Sequence, residues 1–125
     1  MNRKQFLQIL LFLCVSMLLS HCAANTAQTQ MQFGLKAAKD ELWDEAVFRW
    51  KKVVAGDQNS SAAHNNLAVA YERDGLWEEA EKEYQIAVRL SPRNEYIQAN
   101  YEKFKTRRDS QKENEKEKKD EKKKK

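Results

Sequence analysis

The chain has 125 residues, 34% of them charged and 41% hydrophobic, with a net charge of +4, a size suited to one small domain. The charge is uneven: residues 1–4 carry Arg3 and Lys4, residues 5–104 carry ten Lys/Arg against thirteen Asp/Glu (net −3), and residues 105–125 carry eleven against six (net +5). A slightly acidic middle with a basic end excludes reading the high pI as a nucleic-acid-binding domain. The absence of cysteine after Cys22 excludes a disulfide framework in the folded part.

The N-terminus reads as an address. Residues 1–5 are short and positive, residues 6–19 are almost wholly apolar, and Ser20-His21-Cys22-Ala23-Ala24 follows. That order is the layout of a secretory signal. Fourteen residues make a helix of roughly 21 Å, short of the ~30 Å hydrocarbon core, which argues against a permanent transmembrane helix. Leu19-Ser20-His21-Cys22 resembles a bacterial lipobox, with His21 where Gly, Ala or Ser is usual. The resemblance implies removal of residues 1–21 and acylation of Cys22, with the chain lipid-anchored in the cell envelope. Ala23 and Ala24, with no Asp, resemble the outer-membrane default, facing the periplasm. The plain alternative, cleavage near Ala24 or Ala27, gives a soluble secreted chain. Residues 22–28 read as a small, polar spacer.

The middle repeats itself. Leu42-Trp43-Asp44-Glu45-Ala46 aligns with Leu76-Trp77-Glu78-Glu79-Ala80 at an offset of 34. The same offset pairs Phe33 with Leu67, Gly34 with Ala68, Trp50 with Tyr84 and Val54 with Val88. Leu67, Ala68 and Tyr71 share one face of a first helix, and Ala80, Tyr84 and Ala87 share one face of a second. Small Ala68 and Ala80 admit close helix approach. Gly75 sits where the chain turns and positive φ is needed, and Ser91-Pro92 ends the second helix. A 34-residue helical period marks the tetratricopeptide repeat, and residues 61–94 resemble that repeat almost position by position. Residues 29–60 form a degenerate copy. It keeps Gly34, Ala46 and Trp50 but has Glu41 at the turn-glycine position and Gln58 at the closing-proline position, so Gly56-Asp57 is expected to end its second helix. Ile97, Tyr101 and Phe104 lie on one face of a further helix, expected over 95–109 as a cap. The fold class implied is all-α: a short right-handed solenoid of two hairpins plus a C-terminal capping helix.

Residues 110–125 form a charged Lys/Glu tail with no apolar side chain, expected to be disordered or a fraying helix. Pairs such as Glu115–Lys119 favour helix. Contact of the tail with an anionic surface is the functional alternative, weakened by its interspersed acids.

No catalytic site emerges. His64, the only histidine after residue 21, occupies a first-helix position where packing between repeats is expected. The carboxylates fall on solvated helix faces, where nothing raises their pKa for acid–base work. Glycines stand only at 34, 56 and 75, so there is no phosphate loop, and no metal-ligand spacing occurs. The recurrence of Trp43 as Trp77 argues for packing rather than cofactor stacking. No enzyme, cofactor, metal or nucleic-acid partner is expected.

The tetratricopeptide resemblance implies a concave groove lined by first helices. It assigns to that groove Met31, Leu35, Asn65, Asn66, Val69, Glu72, Arg73, Tyr96, Asn100 and Lys103. One subclass clamps a peptide carboxylate. Its positions here are Met31, Leu35, Asn66, Tyr96 and Asn100, of which only Asn66 matches, so that clamp is not expected. The expectation is a protein or peptide partner in the groove and the membrane through Cys22. The chain would act as adaptor or assembly factor for another envelope protein. A self-associating, weakly homo-oligomeric envelope protein, or an accessory subunit of a wall-remodelling enzyme, is the alternative.

Overall fold

The computed structural model describes residues 2, 5, 7–9 and 26–123. Cys22 and most of the signal and spacer segments expected from the sequence lie outside the described residues. Among the described residues every regular element is a helix. Residues 5 and 7–9 are helical, and five longer helices follow: α1 over 26–39, α2 Trp43–Gly56, α3 Ser61–Arg73, α4 Trp77–Leu90 and α5 Glu95–Lys123. Residues 26–28, expected as spacer, are already part of α1. The helices fall into two compact units, Met1–Gln58 and Asn59–Lys125.

In the first unit, α2 buries Ala46, Trp50 and Val53 at helical spacing and carries Asp44 and Glu45 in its first turn, where the helix dipole favours negative charge. The glycine at 34 on α1 is a matter of space. A Cβ there would lie 2.7 Å from Cδ1 of the Trp50 indole, so the buried ring sits directly against the α1 backbone. Arg49 ties the two helices on the outside. Its Nη1 donates to Gln30 Oε1 at 3.0 Å, its Nε donates to Glu45 Oε1 at 2.6 Å, and its guanidinium lies 5.3 Å from the Phe33 ring centre. Gly56 ends α2, with the Asp57 N–H donating to Val53 O at 2.8 Å.

The two helical turns are built alike from unlike residues. In the first, Leu42 N–H donates to Ala37 O at 2.9 Å and Glu41 N–H to Ala38 O at 3.2 Å; in the second, Leu76 N–H donates to Tyr71 O at 2.9 Å and Gly75 N–H to Glu72 O at 3.1 Å. Both patterns satisfy helix-end carbonyls through one left-handed residue. Gly75 adopts φ 74° there without penalty, whereas Glu41 is held at φ 61°, a region costly for a side chain with a Cβ. The degenerate repeat thus keeps the turn geometry and bears its strain.

In the second unit, Ala68 of α3 and Ala80 of α4 are fully buried and meet at the centre of a cluster with Tyr84 and Phe104. The absence of side-chain bulk at 68 and 80 lets the α3–α4 hairpin close. At its open end Ser91 Oγ donates to Ser61 Oγ at 2.8 Å. Along its length His64, buried, has Nδ1 2.5 Å from Glu83 Oε2. Glu83 lies on the partner helix of the same hairpin, so this contact ties α3 to α4.

Asn94 caps α5: its Oδ1 accepts from the N–H groups of Tyr96 (3.1 Å) and Ile97 (3.2 Å), satisfying otherwise unpaired first-turn donors. α5 lays Ile97 and Phe104 into the unit as buried residues. The Phe104 ring packs 5.1 Å from Tyr84 and 6.1 Å from Trp77, and Tyr101 stacks 5.9 Å from Tyr84. The helix does not stop at residue 109. It continues unbroken to Lys123, 29 residues in all.

The turns generate a paired prediction. Glu41→Gly removes a strained φ and should stabilise the chain by about 0.5–1 kcal/mol, the relief of roughly 1–2 kcal/mol being partly offset by the extra freedom of glycine in the unfolded chain. Gly75→Glu imposes the same strain and should destabilise by about 1 kcal/mol or more. Urea midpoints at unchanged m-value measure both.

Candidate partner-binding face

The groove residues expected from the sequence divide by unit. Met31, half-buried, and Leu35, exposed, lie on α1 in the first unit. The others lie on α3 and α5 in the second, where two cross-links set their arrangement. Asn100 Nδ2 on α5 donates to Asn65 Oδ1 on α3 at 3.1 Å. Seven residues further along both helices, Arg107 Nε donates to Glu72 Oε1. Each pair is 35 residues apart in sequence. The constant separation fixes α3 and α5 as parallel neighbours in one register, two helical turns between rungs.

These rungs redefine the face. Asn65 is 2% exposed and is committed to Asn100 and, at 3.5 Å, to Asn66 Oδ1. It is a structural strut and not a lining residue open to a partner, because a buried amide must find its partners inside the protein. Glu72 is also engaged. Its side chain is 11% exposed, and it accepts from Arg107 on one oxygen and from the Tyr84 hydroxyl, at 3.1 Å, on the other. What remains toward solvent is a strip of Asn66, Val69 and Arg73 on α3 beside Tyr96, Asn100 and Lys103 on α5. Tyr96 is the most open of them, 68% exposed. Arg73 Nη1 pairs with Asp74 Oδ1 at 3.0 Å near the turn.

Three contributors were not singled out in the sequence. Arg107 and Arg108 lie at the end of the expected capping helix, past its last apolar residue Phe104, and both dock. Arg108 binds Glu81 and lies 3.4 Å from Glu78 Oε1 on α4, with a side chain only 15% exposed. The Tyr84 hydroxyl is the third. A search for opposite charges one repeat apart would have found Glu72 and Arg107, since their spacing is within one residue of the 34-residue period.

Tyr84 has its ionisation pushed well above its ordinary value of 10.0, first by burial and then by the negative charge and hydrogen bond of Glu72. Arg107 is shifted upward by its hydrogen bond to Glu72. Both shifts hold the tyrosine neutral and the arginine charged. The three groups form a polar clasp between α3, α4 and α5. Among the described residues no group of three His, Cys, Asp or Glu could hold a metal ion, and no helix is long and apolar enough to cross a membrane.

With this geometry in place, similarity to known proteins is informative. Residues 61–94 match the model of the tetratricopeptide repeat, so the chain carries one such repeat spanning α3 and α4. No curated protein sequence matches the chain. The fold is that of tetratricopeptide-repeat domains. The C-terminal TPR-containing domain of a Plasmodium falciparum protein described as FK506-binding is 24% identical with a TM-score of 0.69, covering 78% of this chain. This chain spans 64% of that domain, just under two thirds. The TPR domain of Arabidopsis OM64 is 16% identical with a TM-score of 0.65, covering 73% of this chain and 75% of that one. The first TPR of Spaghetti (RPAP3), bound to the HSP90 peptide SRMEEVD, is 22% identical with a TM-score of 0.64, covering 71% and 72%.

The clasp sets an alkaline limit. Above pH 10 the unfolded chain releases the Tyr84 proton while the folded chain retains it, so stability contributed by the folded hydroxyl falls as pH rises. Tyr84→Phe should cost about 1 kcal/mol at neutral pH, the value of one hydrogen bond. It should also flatten the loss of stability between about pH 10 and 11.5. Thermal melts of parent and variant across that range test both effects.

Proposed function

We propose that this chain is a non-catalytic adaptor of the bacterial cell envelope, anchored through acylated Cys22. Its α3–α5 strip would engage a peptide segment of another envelope protein. The observation that carries the reading is the pair of rungs. Asn65–Asn100 and Glu72–Arg107 use up the inward-facing polar groups and fix two helices in parallel register. The outward groups therefore stand at set positions before any partner arrives, which lowers the ordering cost of binding.

The chemistry of the strip narrows the partner. Tyr96 and Val69 supply apolar area, Asn66 supplies an amide for a peptide backbone, and Arg73 and Lys103 supply positive charge. An extended peptide with acidic side chains complements that set. The peptide in the Spaghetti complex is acidic toward its end, which supports this class of ligand. Of the carboxylate-clamp positions of the chaperone-binding subclass only Asn66 matches, so recognition rests on side chains along the peptide. The envelope address rests on the apolar stretch 6–19 followed by Cys22. A lipid tether raises the effective concentration of a modest binding strip toward membrane-bound partners.

Two measurements test the reading. Growth with a labelled fatty acid should mark the parent chain and leave Cys22→Ser unmarked; an unlabelled parent removes the anchor. Crosslinking from envelope fractions should capture one dominant protein, and Arg73→Glu with Lys103→Glu should weaken that capture about tenfold, the cost of replacing two favourable charge contacts by repulsive ones. Undiminished capture places the partner on another surface.

A further inference from the structure

The second half of α5 carries its charges in a pattern that composition conceals. Residues 112–123 are all exposed and all helical. The last hydrogen bonds and ion pairs given to α3 and α4 come from Arg107 and Arg108. Beyond them the helix extends for roughly 22 Å at 1.5 Å per residue.

On that rod Lys112, Lys116, Lys119 and Lys123 recur every three or four residues, the spacing that puts side chains on one face. Lys118 and Lys122 widen the same half. Asp109, Glu113, Glu117, Asp120 and Glu121 follow the same spacing displaced along the chain, and so form the other side. At 100° per residue the basic side chains occupy one half of the cylinder and these acids an arc of about 120° in the other. Glu115 is the exception. Read as a linear string, the tail interleaves its charges. Folded as a helix, it separates them.

We infer that the basic half of α5 beyond Arg108 is a second membrane contact, its far end meeting a bilayer rich in anionic phospholipid. Separation is what makes this work. With the basic half on the headgroups, the acids other than Glu115 stand roughly 6–11 Å farther out. That is comparable with the screening length of about 8 Å at physiological salt. The surface then feels the lysines more strongly than it feels those acids. A protein occupant fits less well: no apolar residue follows Phe104, so the rod cannot supply the apolar centre that protein interfaces bury. A second copy could add only exposed ion pairs, which contribute little. The inference relies on the Cys22 reading only for bringing a membrane near, and its test removes that residue.

The test uses the full chain carrying Cys22→Ser, compared with the same chain carrying three neighbour exchanges: Lys112→Glu with Glu113→Lys, Lys116→Glu with Glu117→Lys, and Lys119→Asp with Asp120→Lys. Composition and net charge are unchanged, and only the separation of charge is lost. Binding is measured to vesicles of neutral phosphatidylcholine and to vesicles with about 30% phosphatidylglycerol. The readout is the ratio of the two affinities, to which the apolar stretch 6–19 contributes equally on both sides. The parent ratio should be at least about tenfold near 0.1 M salt and should vanish near 1 M. The exchanged chain should fall to about threefold or less, with helical circular dichroism retained. A milder variant with Lys112, Lys116 and Lys119 each replaced by Gln should lie between them. Equal ratios in parent and exchanged chain overturn the inference. So does an exchange-sensitive self-association, or duplex DNA binding, that appears without preference for the anionic vesicles. Loss of fatty-acid labelling in the separate Cys22 experiment would leave this ratio untouched, so the two readings fail independently.

Discussion

Tyr84 is the residue through which the three helices of the second unit hold one another. Its ring is 1% exposed and packs on Phe104 and Tyr101 of α5. Its backbone belongs to α4, and its hydroxyl donates to Glu72 of α3. None of this is available unless α3 and α4 approach closely, which the fully buried Ala68 and Ala80 permit. Burying an aromatic ring of this kind contributes about 2–3 kcal/mol, and off-parallel ring contacts add about 0.5–1.5 kcal/mol beyond area. Without α5, the Tyr84 and Trp77 rings would lose their cover. A single hairpin is therefore an incomplete object here, and α5 completes it.

The same residue organises the polar side of the unit. Glu72 is too covered to be left as a lone carboxylate, since burying an unpaired charge is costly. Tyr84 and Arg107 each satisfy one of its oxygens. Because Arg107 comes from α5, satisfying Glu72 also sets the axial position of that helix, and Asn65–Asn100 sets it again two turns away. Two polar rungs and an aromatic cluster agree on one register. Apolar packing alone tolerates small slips; the rungs do not, because each slip would orphan a buried amide or carboxylate. The fixed outward strip around Tyr96 and Arg73 is a consequence of that agreement.

Much of this was legible in the sequence, and the limits are physical. The 34-residue period, the small residues at 68 and 80, and the aromatic positions 84, 101 and 104 follow from how stacked hairpins must pack, so pattern suffices to place them. Gly75 was legible because its conformation favours glycine. Glu41 looked like a departure, yet the turn there has the same hydrogen bonds: tertiary context holds one strained residue where local preference alone would not. Asn65 was misassigned to the open groove because helical phase gives a direction and not a depth, and depth depends on what α5 brings beside it. Arg107 and Arg108 were hidden for a related reason. Absence of apolar residues argues against burial, but long cationic side chains can reach back along a helix to fixed acids.

The long α5 joins these themes, since its first part is specified by packing and its second by what packing makes available. Starting a helix is the unfavourable step, and adding residues to an existing one is nearly free for Lys- and Glu-rich sequence. The Asn94 cap and the docked turns through Arg108 supply that start. Beyond them, only modest help is needed, and neighbours such as Gln111–Glu115 at 3.3 Å and the Glu115–Lys119 spacing provide it. Once the chain is helical, the three-to-four-residue spacing of the lysines becomes a face. It continues the side of the helix on which Ile97, Tyr101 and Phe104 lie. One helix thus presents along a single side an apolar stripe where there is protein to cover it and a cationic stripe where there is none. Charge separation in the tail is accordingly a property of the fold: it exists only while the aromatic cluster around Tyr84 keeps the start of α5 in place.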